Sequence, residues 1–304
     1  MIAGPGESAG SAPDQQTILP FRARRPRAWE TARGPLVLDR PLIVGILNVT
    51  PDSFSDGGRF LAPSAALDHA EEVLAAGAGM LDVGAESTRP GAAPVGADEE
   101  WRRLAPVLEG LARRFPDVPV SVDTTRAATA VRALEAGAWV INDVSALRLD
   151  PDLAEVCARH DAGLVLMHSR GSVSEIATYR WAQYDDVATA VASELSQAVD
   201  GAVSRGVGRD HLVVDPGLGF AKTPEHSLVA LRDLSVLADL GLPIMIGPSR
   251  KRFLGAVTGR DVAARDVATA AACALGYLLG ASLFRVHAVQ PARDALAVAY
   301  ALLS

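Results

Sequence analysis

Polar side chains recur at one kind of place in this sequence, the ends of short apolar runs. Asn48 closes the run 42–47, Asp123 closes 118–122, Asn142 closes 139–141, His168 closes 163–167 and Asp215 closes 211–214. Glu86 to Arg89 follow the run 80–83, Ser249 to Lys251 follow 243–246, and Arg285 with His287 end 282–286. The set divides by chemistry. Asp123, Asn142 and Asp215 are short and rich in acceptors, whereas Arg250, Lys251 and Arg285 are cations and His287 can become one. That division fits a ligand with two ends: a flat heterocycle carrying several N–H donors, and a phosphate or pyrophosphate. Arg grips phosphate oxygens bidentately, each charge-assisted bond contributing about 1.5–3 kcal/mol. A site that pairs the whole polar edge of a heterocycle rejects analogues lacking it by about 10⁴–10⁵. Asp82 lies inside its run and reads equally well as a buried structural carboxylate or as a site residue. Met167 and His168 read equally as rim residues.

The elements that must position these groups follow from the same runs. There are eight apolar runs, and Ala/Leu/Arg/Glu stretches of helical period follow them at 63–76, 98–114, 126–136, 151–160, 184–206, 225–239, 261–280 and 290–303. Pro151 and Pro224 suit the first turn of a helix, and Gly137 and Gly206 suit a stop. Near-continuous apolar strands alternating eight times with helices predict a single α/β domain, a (β/α)8 TIM barrel. In that fold the chemistry sits where strands end, which is where the polar residues lie. A doubly wound open sheet is the competitor, but no glycine-rich dinucleotide turn opens the first helix. Two long loops, 49–63 after the first strand and 84–96 after the second, exceed a usual βα connection and read as a lid that assembles over the substrate.

Composition narrows the function. The chain has 304 residues, 49% hydrophobic, with 36 acidic and 29 basic side chains and a net charge of −7. Residues 1–36 carry five Arg and three acids, a balance of +2, which leaves −9 for the rest. An acidic body without a basic stripe argues against nucleic-acid binding. We read 1–36 as a flexible Arg-containing extension leading into a first strand or hairpin, and 37–304 as the barrel domain. The extension has no apolar core that would make it a secretory signal. The longest uncharged stretch, 267–284, is Ala-rich and broken by Gly and Ser, so a core or interface helix is expected rather than a membrane span. Two cysteines, Cys157 and Cys273, cannot make a disulfide framework and suit a reducing cytoplasm.

At these residues the chain resembles the dihydropteroate synthases, folate-pathway enzymes that are the target of sulfonamide drugs. The matching segments are GILNVTPDSFSDGG (45–58), DVGAESTRPG (82–91), SVDT (121–124), INDV (141–144), LMH (166–168), DPGLGF (215–220), SRK (249–251) and RVH (285–287), in family order. The first, second and seventh are highly specific, and the resemblance does not reach residues 1–36.

The resemblance implies a division of labour. Asp123, Asn142, Asp215 and Lys251 would hydrogen-bond a pterin ring, with Met167 and Arg250 packing against it. Asn48, Arg285 and His287 would hold the pyrophosphate, with Asn48 also offering its amide oxygen to Mg²⁺. Thr88, Arg89, Pro90, Phe220 and Ser249 would shape the p-aminobenzoate pocket. Asp123, Lys251, Arg285 and His287 would carry the catalysis, and the molecule would be a cytoplasmic homodimer formed through the helix near 261–280. The implied reaction joins 6-hydroxymethyl-7,8-dihydropterin diphosphate to p-aminobenzoate, giving 7,8-dihydropteroate and pyrophosphate, with ionisation to a pterin methylene cation preceding attack by the amine. A corrinoid methyltransferase of the same fold is disfavoured by the intact Ser-Thr-Arg-Pro and Ser-Arg-Lys segments. A non-catalytic paralogue would tend to lose loop and anion residues, and none is lost. A generic phosphate-binding isomerase leaves the acceptor-rich half unexplained. Ser169 stands where many relatives carry something bulkier, and Arg252 where some have Ser.

Overall fold

The apolar runs become strands because their β-branched and leucine side chains are covered on both faces, by helices outside and by one another inside. The computed structural model describes residues 26–49, 63–85 and 95–304. A short antiparallel hairpin, β1 (Ala28–Trp29) and β2 (Leu36–Val37), precedes the barrel. The barrel strands are β3 (Leu42–Asn48), β4 (Met80–Gly84), β5 (Val120–Asp123), β6 (Val140–Asp143), β7 (Gly163–Met167), β8 (Leu212–Asp215), β9 (Met245–Ile246) and β10 (Leu283–Val286). All pair in parallel in the order β8-β7-β6-β5-β4-β3-β10-β9, and a parallel bridge between Val214 and Ile244 joins the two ends. The sheet is therefore closed, and the predicted (β/α)8 barrel is the observed fold.

Helices α1 (Pro63–Ala75), α2 (Ala97–Arg114), α3 (Ala127–Glu135), α4 (Leu153–Arg159), α5 (Val187–Ser204), α6 (Pro224–Arg232), α7 (Arg252–Thr258), α8 (Asp266–Leu278) and α9 (Val289–Leu303) surround it. Thr223 caps α6 by accepting from the His226 N–H, with Pro224 in the first turn. The stretch 225–239, read as one helix, divides at Asp233 into α6 and a 3-10 turn (Leu234–Leu240) that ends on left-handed Gly241. Helix α7 is missing from the sequence reading, being too short for its period to register. Among the described residues no helix is long and apolar enough to cross a membrane, and the uncharged stretch 267–284 divides between α8 and β10.

The strand period of two sorts the side chains. Ile43, Leu47, Leu81, Val83, Val122, Ile141 and Leu164 face the helices in one large core. Val44, Met80, Val140, Val165, Val213, Met245 and Leu283 instead meet inside the barrel, where Trp29 and Leu38 join them. Each inner residue lies towards the start of its strand, so the hairpin plugs the N-terminal mouth. Trp29 is fully buried, and its indole N–H donates to the His211 carbonyl at 2.8 Å. Gly163 makes room for it, since a Cβ there would stand 2.9 Å from the indole Cζ2.

This corrects the domain boundary placed at residue 37. Residues 28–36 belong to the barrel's closure, because an eight-stranded barrel needs side chains to fill its open bottom and the β1–β2 hairpin supplies them. Trp29→Ala is expected to destabilise the protein by about 3–5 kcal/mol in urea unfolding, the usual cost of emptying a large buried aromatic site. An unchanged urea midpoint would show the plug to be dispensable.

Candidate active site

Two residues beyond four of the inner apolar positions, the same inward face turns polar. Met80 leads to Asp82, Val140 to Asn142, Val213 to Asp215 and Leu283 to Arg285, whereas Val165 leads to Met167, and Asn48 and Asp123 end their own strands. The register places Asn48 beside Gly84, Gly84 beside Asp123, Asp123 beside Asn142, and Met167 beside Asp215. The sequence-predicted site residues of the strands therefore share one mouth of the barrel.

Asp82 is the hub of that layer. It is completely buried, accepts from the Ser121 hydroxyl, from Asn142 Nδ2 at 3.3 Å and from Arg285 Nε at 2.6 Å. Arg285 reaches Asp123 with its other arm, Nη2 to Oδ2 at 2.9 Å. Asp82 thus holds one residue expected at each end of the ligand, Asn142 and Arg285. Asn142 is oriented by this bond. With its amide nitrogen committed to Asp82, its Oδ1 is buried and has no hydrogen-bond partner among the described residues. A buried acceptor without a donor costs about 1–3 kcal/mol, a cost that a ligand N–H removes.

Electrostatics follow from burial. Desolvation pushes the Asp123 carboxyl up to about 7 against the pull of Arg285. Asp215 is pushed up to about 6 by burial, opposed by the Gly217 N–H, which donates to its Oδ1 at 2.7 Å, and then by Lys251 and Arg285. Burial opposes the Arg285 charge too, but Asp82 and Asp123 more than restore it. Lys251 is brought down to about 7 by desolvation and by the neighbouring Arg285. Its Nζ stands 3.4 Å from the centroid of the Phe220 ring. Phe220 and Met167 join Val144, Ile176 and Ala177 in a small apolar cluster that gives this mouth a flat wall.

The cations are not alike. Arg285 is bonded to two of the acids, as a largely buried guanidinium needs acceptors. His287 is neutral: burial and then Arg285 bring it down to about 3. Its Nδ1 lies 2.9 Å from Ser249 Oγ, within hydrogen-bond distance. Ser249 Oγ in turn accepts the His287 backbone N–H at 3.1 Å.

Arg250 is paired too. Its guanidinium forks onto Asp266 of α8, Nε to Oδ1 at 2.7 Å and Nη2 to Oδ2 at 2.9 Å, which fixes the plane it presents. The backbone explains why. Arg250 has φ of +56°, with its N–H donating to Thr269 Oγ1 and its carbonyl accepting from Arg265, so the turn is held in the left-handed region from both sides. Arg252 donates to the Ala177 carbonyl and stacks on Tyr179, 4.3 Å from the ring centroid. Ser169 Oγ donates to the Val144 carbonyl at 2.7 Å. His168, one residue after inward Met167, faces outward to Glu194 of α5. Thr88, Arg89, Pro90 and Glu86 lie outside the described residues, as do 50–62 and 86–94 of the two long loops.

The sequence reading misses Ser121, Lys222 and Glu194. Ser121 carried a usable signal, since it precedes Asp123 by one strand period. Lys222 follows the DPGLGF segment by two residues yet is only 1% exposed, and nothing local marks a lysine as buried.

Comparison with known proteins agrees with this geometry. A family model described as pterin binding enzyme matches residues 44–287. The dihydropteroate synthase of Mycobacterium leprae is 46% identical over 267 residues, covering 86% of this chain and 93% of that protein. A Xanthomonas albilineans dihydropteroate synthase solved with 4-aminobenzoic acid superposes with a TM-score of 0.85 at 40% identity, over 91% of this chain and 98% of that one. A Yersinia pestis dihydropteroate synthase in complex with a sulfonamide drug gives 0.84 at 38%, over 91% and 99%. With the barrel, the acceptors gathered at its mouth and these likenesses in agreement, the chain belongs to the dihydropteroate synthase family of pterin-binding enzymes.

Proposed function

We propose that this chain condenses 6-hydroxymethyl-7,8-dihydropterin diphosphate with p-aminobenzoate, releasing pyrophosphate and 7,8-dihydropteroate. The observation that carries this reading is the buried, unpartnered Oδ1 of Asn142, in the same mouth as Asp123, Asp215, Lys251 and Arg285. A ring with several N–H donors satisfies those acceptors, and Met167 and Phe220 cover its faces. The diphosphate then lies towards Arg285 and His287, with Asn48 at the end of the neighbouring strand.

Cleavage of the carbon–oxygen bond puts negative charge on the departing pyrophosphate. Arg285 and Lys251 are already fixed where that charge grows, so no reorganisation opposes it. Asp123 offsets the positive charge left on the pterin methylene carbon. The amine of p-aminobenzoate attacks that carbon and loses a proton, and Ser249 with Phe220 forms part of its pocket. Ser249 is bound to the His287 backbone and ring, which makes it a turn ligand rather than a nucleophile.

Mg²⁺ fits as a companion of the diphosphate. Among the described residues no three His, Cys, Asp or Glu side chains could together hold a metal ion, so a dedicated cage is not the arrangement here. The inward carboxamide of Asn48 is the kind of single oxygen donor that suits an ion keeping several waters. When bound, the ion would neutralise pyrophosphate charge.

Incorporation of radiolabelled p-aminobenzoate into pteroate tests the reading. Product should form with the pterin diphosphate, stop on chelation and return with Mg²⁺; pterin binding without product would favour a non-catalytic paralogue. In the same assay Lys251→Ala is expected to lose about 2–4 kcal/mol of transition-state stabilisation, and near-parental kcat/KM would remove it from the site.

The molecule is a homodimer in this proposal. Val267 and Leu275 of α8 and Val298 and Leu302 of α9 are exposed at 81%, 55%, 65% and 69%, on two helices packed against each other. Apolar side chains gathered on one helix pair suit a second copy. Light scattering should give a dimer mass and Leu275→Glu should lower it; a monomeric parent protein would contradict the proposal. Buried Cys157 and Cys273, with thiols pushed up by desolvation, suit a reducing cytoplasm.

A further inference from the structure

We propose that Lys222 is a positioning residue of the pterin end of the site: its ammonium, held between His168 and the Phe220 carbonyl, is the fixed counter-charge behind the Asp215 carboxylate. The proposal rests on the pterin reading above and adds a residue that touches no substrate.

Lys222 is 1% exposed. Its Nζ lies 2.8 Å from His168 Nδ1 and donates to the Phe220 carbonyl at 3.2 Å. On the far side of the ring, His168 Nε2 meets Glu194 Oε2 at 3.1 Å, and Arg170 clamps both oxygens of Glu194. These bonds set the histidine tautomer. An ammonium has only donors, so Nδ1 must accept and Nε2 must carry the hydrogen given to Glu194. Burial, reinforced by the Lys222 charge, brings His168 down to about 4, so the ring is neutral and able to accept.

This arrangement supplies Lys222 with no carboxylate in direct contact among its hydrogen-bond partners. A structural strut at this place would need donors but no charge, and an amide would serve. The charge acts at a distance instead. Burial brings the Lys222 ammonium down to about 7, so it carries its charge in the acid range, with Asp215 on β8 the leading attraction against that cost; His168 on β7, Arg170 after β7, Glu194 on α5 and Lys251 after β9 also face it. Asp215 itself faces Lys251, Arg285 on β10 and Lys222, each holding its carboxyl down against burial. Lys222 also fixes the backbone of Phe220, whose ring carries Lys251. It thus acts on the ring-binding groups through two neighbours, one by field and one by position.

The sign of the effect is set. Replacing the ammonium by a neutral donor lets the Asp215 carboxyl keep its proton to higher pH, so fewer molecules present the acceptor that captures pterin. In Lys222→Gln the acid limb of kcat/KM for the pterin diphosphate should move up by a fraction of a pH unit, since Lys251 and Arg285 act on Asp215 more strongly, with kcat at alkaline pH much less affected. Lys222→Arg, which keeps the charge, should leave the limb near its parental place. A limb that stays put in Lys222→Gln overturns the proposal, whatever happens to melting temperature, because a strut alone predicts lost stability without a shifted profile. If Lys222→Gln fails to fold, the ¹³Cε resonance of Lys222 in the unaltered protein decides: an ammonium at pH 6 supports the proposal and a neutral amine at that pH sinks it. That readout needs no turnover, so it stands apart from the incorporation assay, whose failure in the unaltered protein would instead fall on the proposed reaction.

Discussion

Replacing Arg285 by Ala should lower kcat/KM by about 10²–10³, the loss seen when one preorganised donor to a developing anion is removed. The same substitution should also weaken the fold, because Arg285 is the shared partner of Asp82 and Asp123. Breaking a buried pair from one side typically costs about 3–5 kcal/mol. The two losses can be separated by pH. Asp123 already holds its proton up to about 7 through burial, and Arg285 is the charge that pulls it down. Without the guanidinium the carboxyl rises further. A carboxyl raised above its unfolded value contributes stability at low pH and loses it as pH climbs through the folded value. The melting-temperature deficit of Arg285→Ala should therefore be larger at pH 8 than at pH 5. A deficit independent of pH would mean that Asp123 does not depend on Arg285, and an unchanged kcat/KM would remove Arg285 from catalysis.

Asp82→Ala is expected to be the most destabilising change in the site that removes no substrate contact. It strands Arg285 Nε, Asn142 Nδ2 and the Ser121 hydroxyl at once, all of which now end on one carboxylate. We expect about 3–5 kcal/mol in urea unfolding, as for other buried charge pairs broken from one side. The kinetic signature is more telling. Asn142 owes the orientation of its ring-facing oxygen to the bond from Nδ2, so the KM for the pterin diphosphate should rise by more than that for p-aminobenzoate. Equal rises would indicate general loosening of the mouth, and parental stability with parental KM would show the carboxylate to be incidental.

The barrel was legible because its repeating unit is local. A strand is recognised from apolar residues within a short window, and a helix from a period of about 3.6. Every strand run contained the observed strand or overlapped it, down to β9, which survives as Met245–Ile246 inside the run 243–246. The hairpin was harder. Two-residue strands carry no period, and Trp29 reads as a lone aromatic in an Arg-rich segment until the open bottom of a barrel exists for it to fill. Helix α7 escaped for the same reason of length.

The site divides along the same line. Residue types at strand ends are local information, and Asp123, Asn142, Asp215, Lys251 and Arg285 could be picked out without coordinates. Which of them bond to one another could not. Arg285 and Asp82 are 203 positions apart, and they meet only because closure sets β10 beside β3 and β3 beside β4. The neutrality of His287 and the burial of Lys222 have the same origin: both depend on how much water the assembled barrel leaves around a group, a property no segment has alone. Sequence by itself determined the fold, the family and the chemical types gathered at the mouth, since these are carried by short-range pattern and motif. Tertiary structure decided which charges are paired, which acceptor is left waiting for a ligand and which lysine stands behind it, since pairing and desolvation arise only between elements distant in the chain.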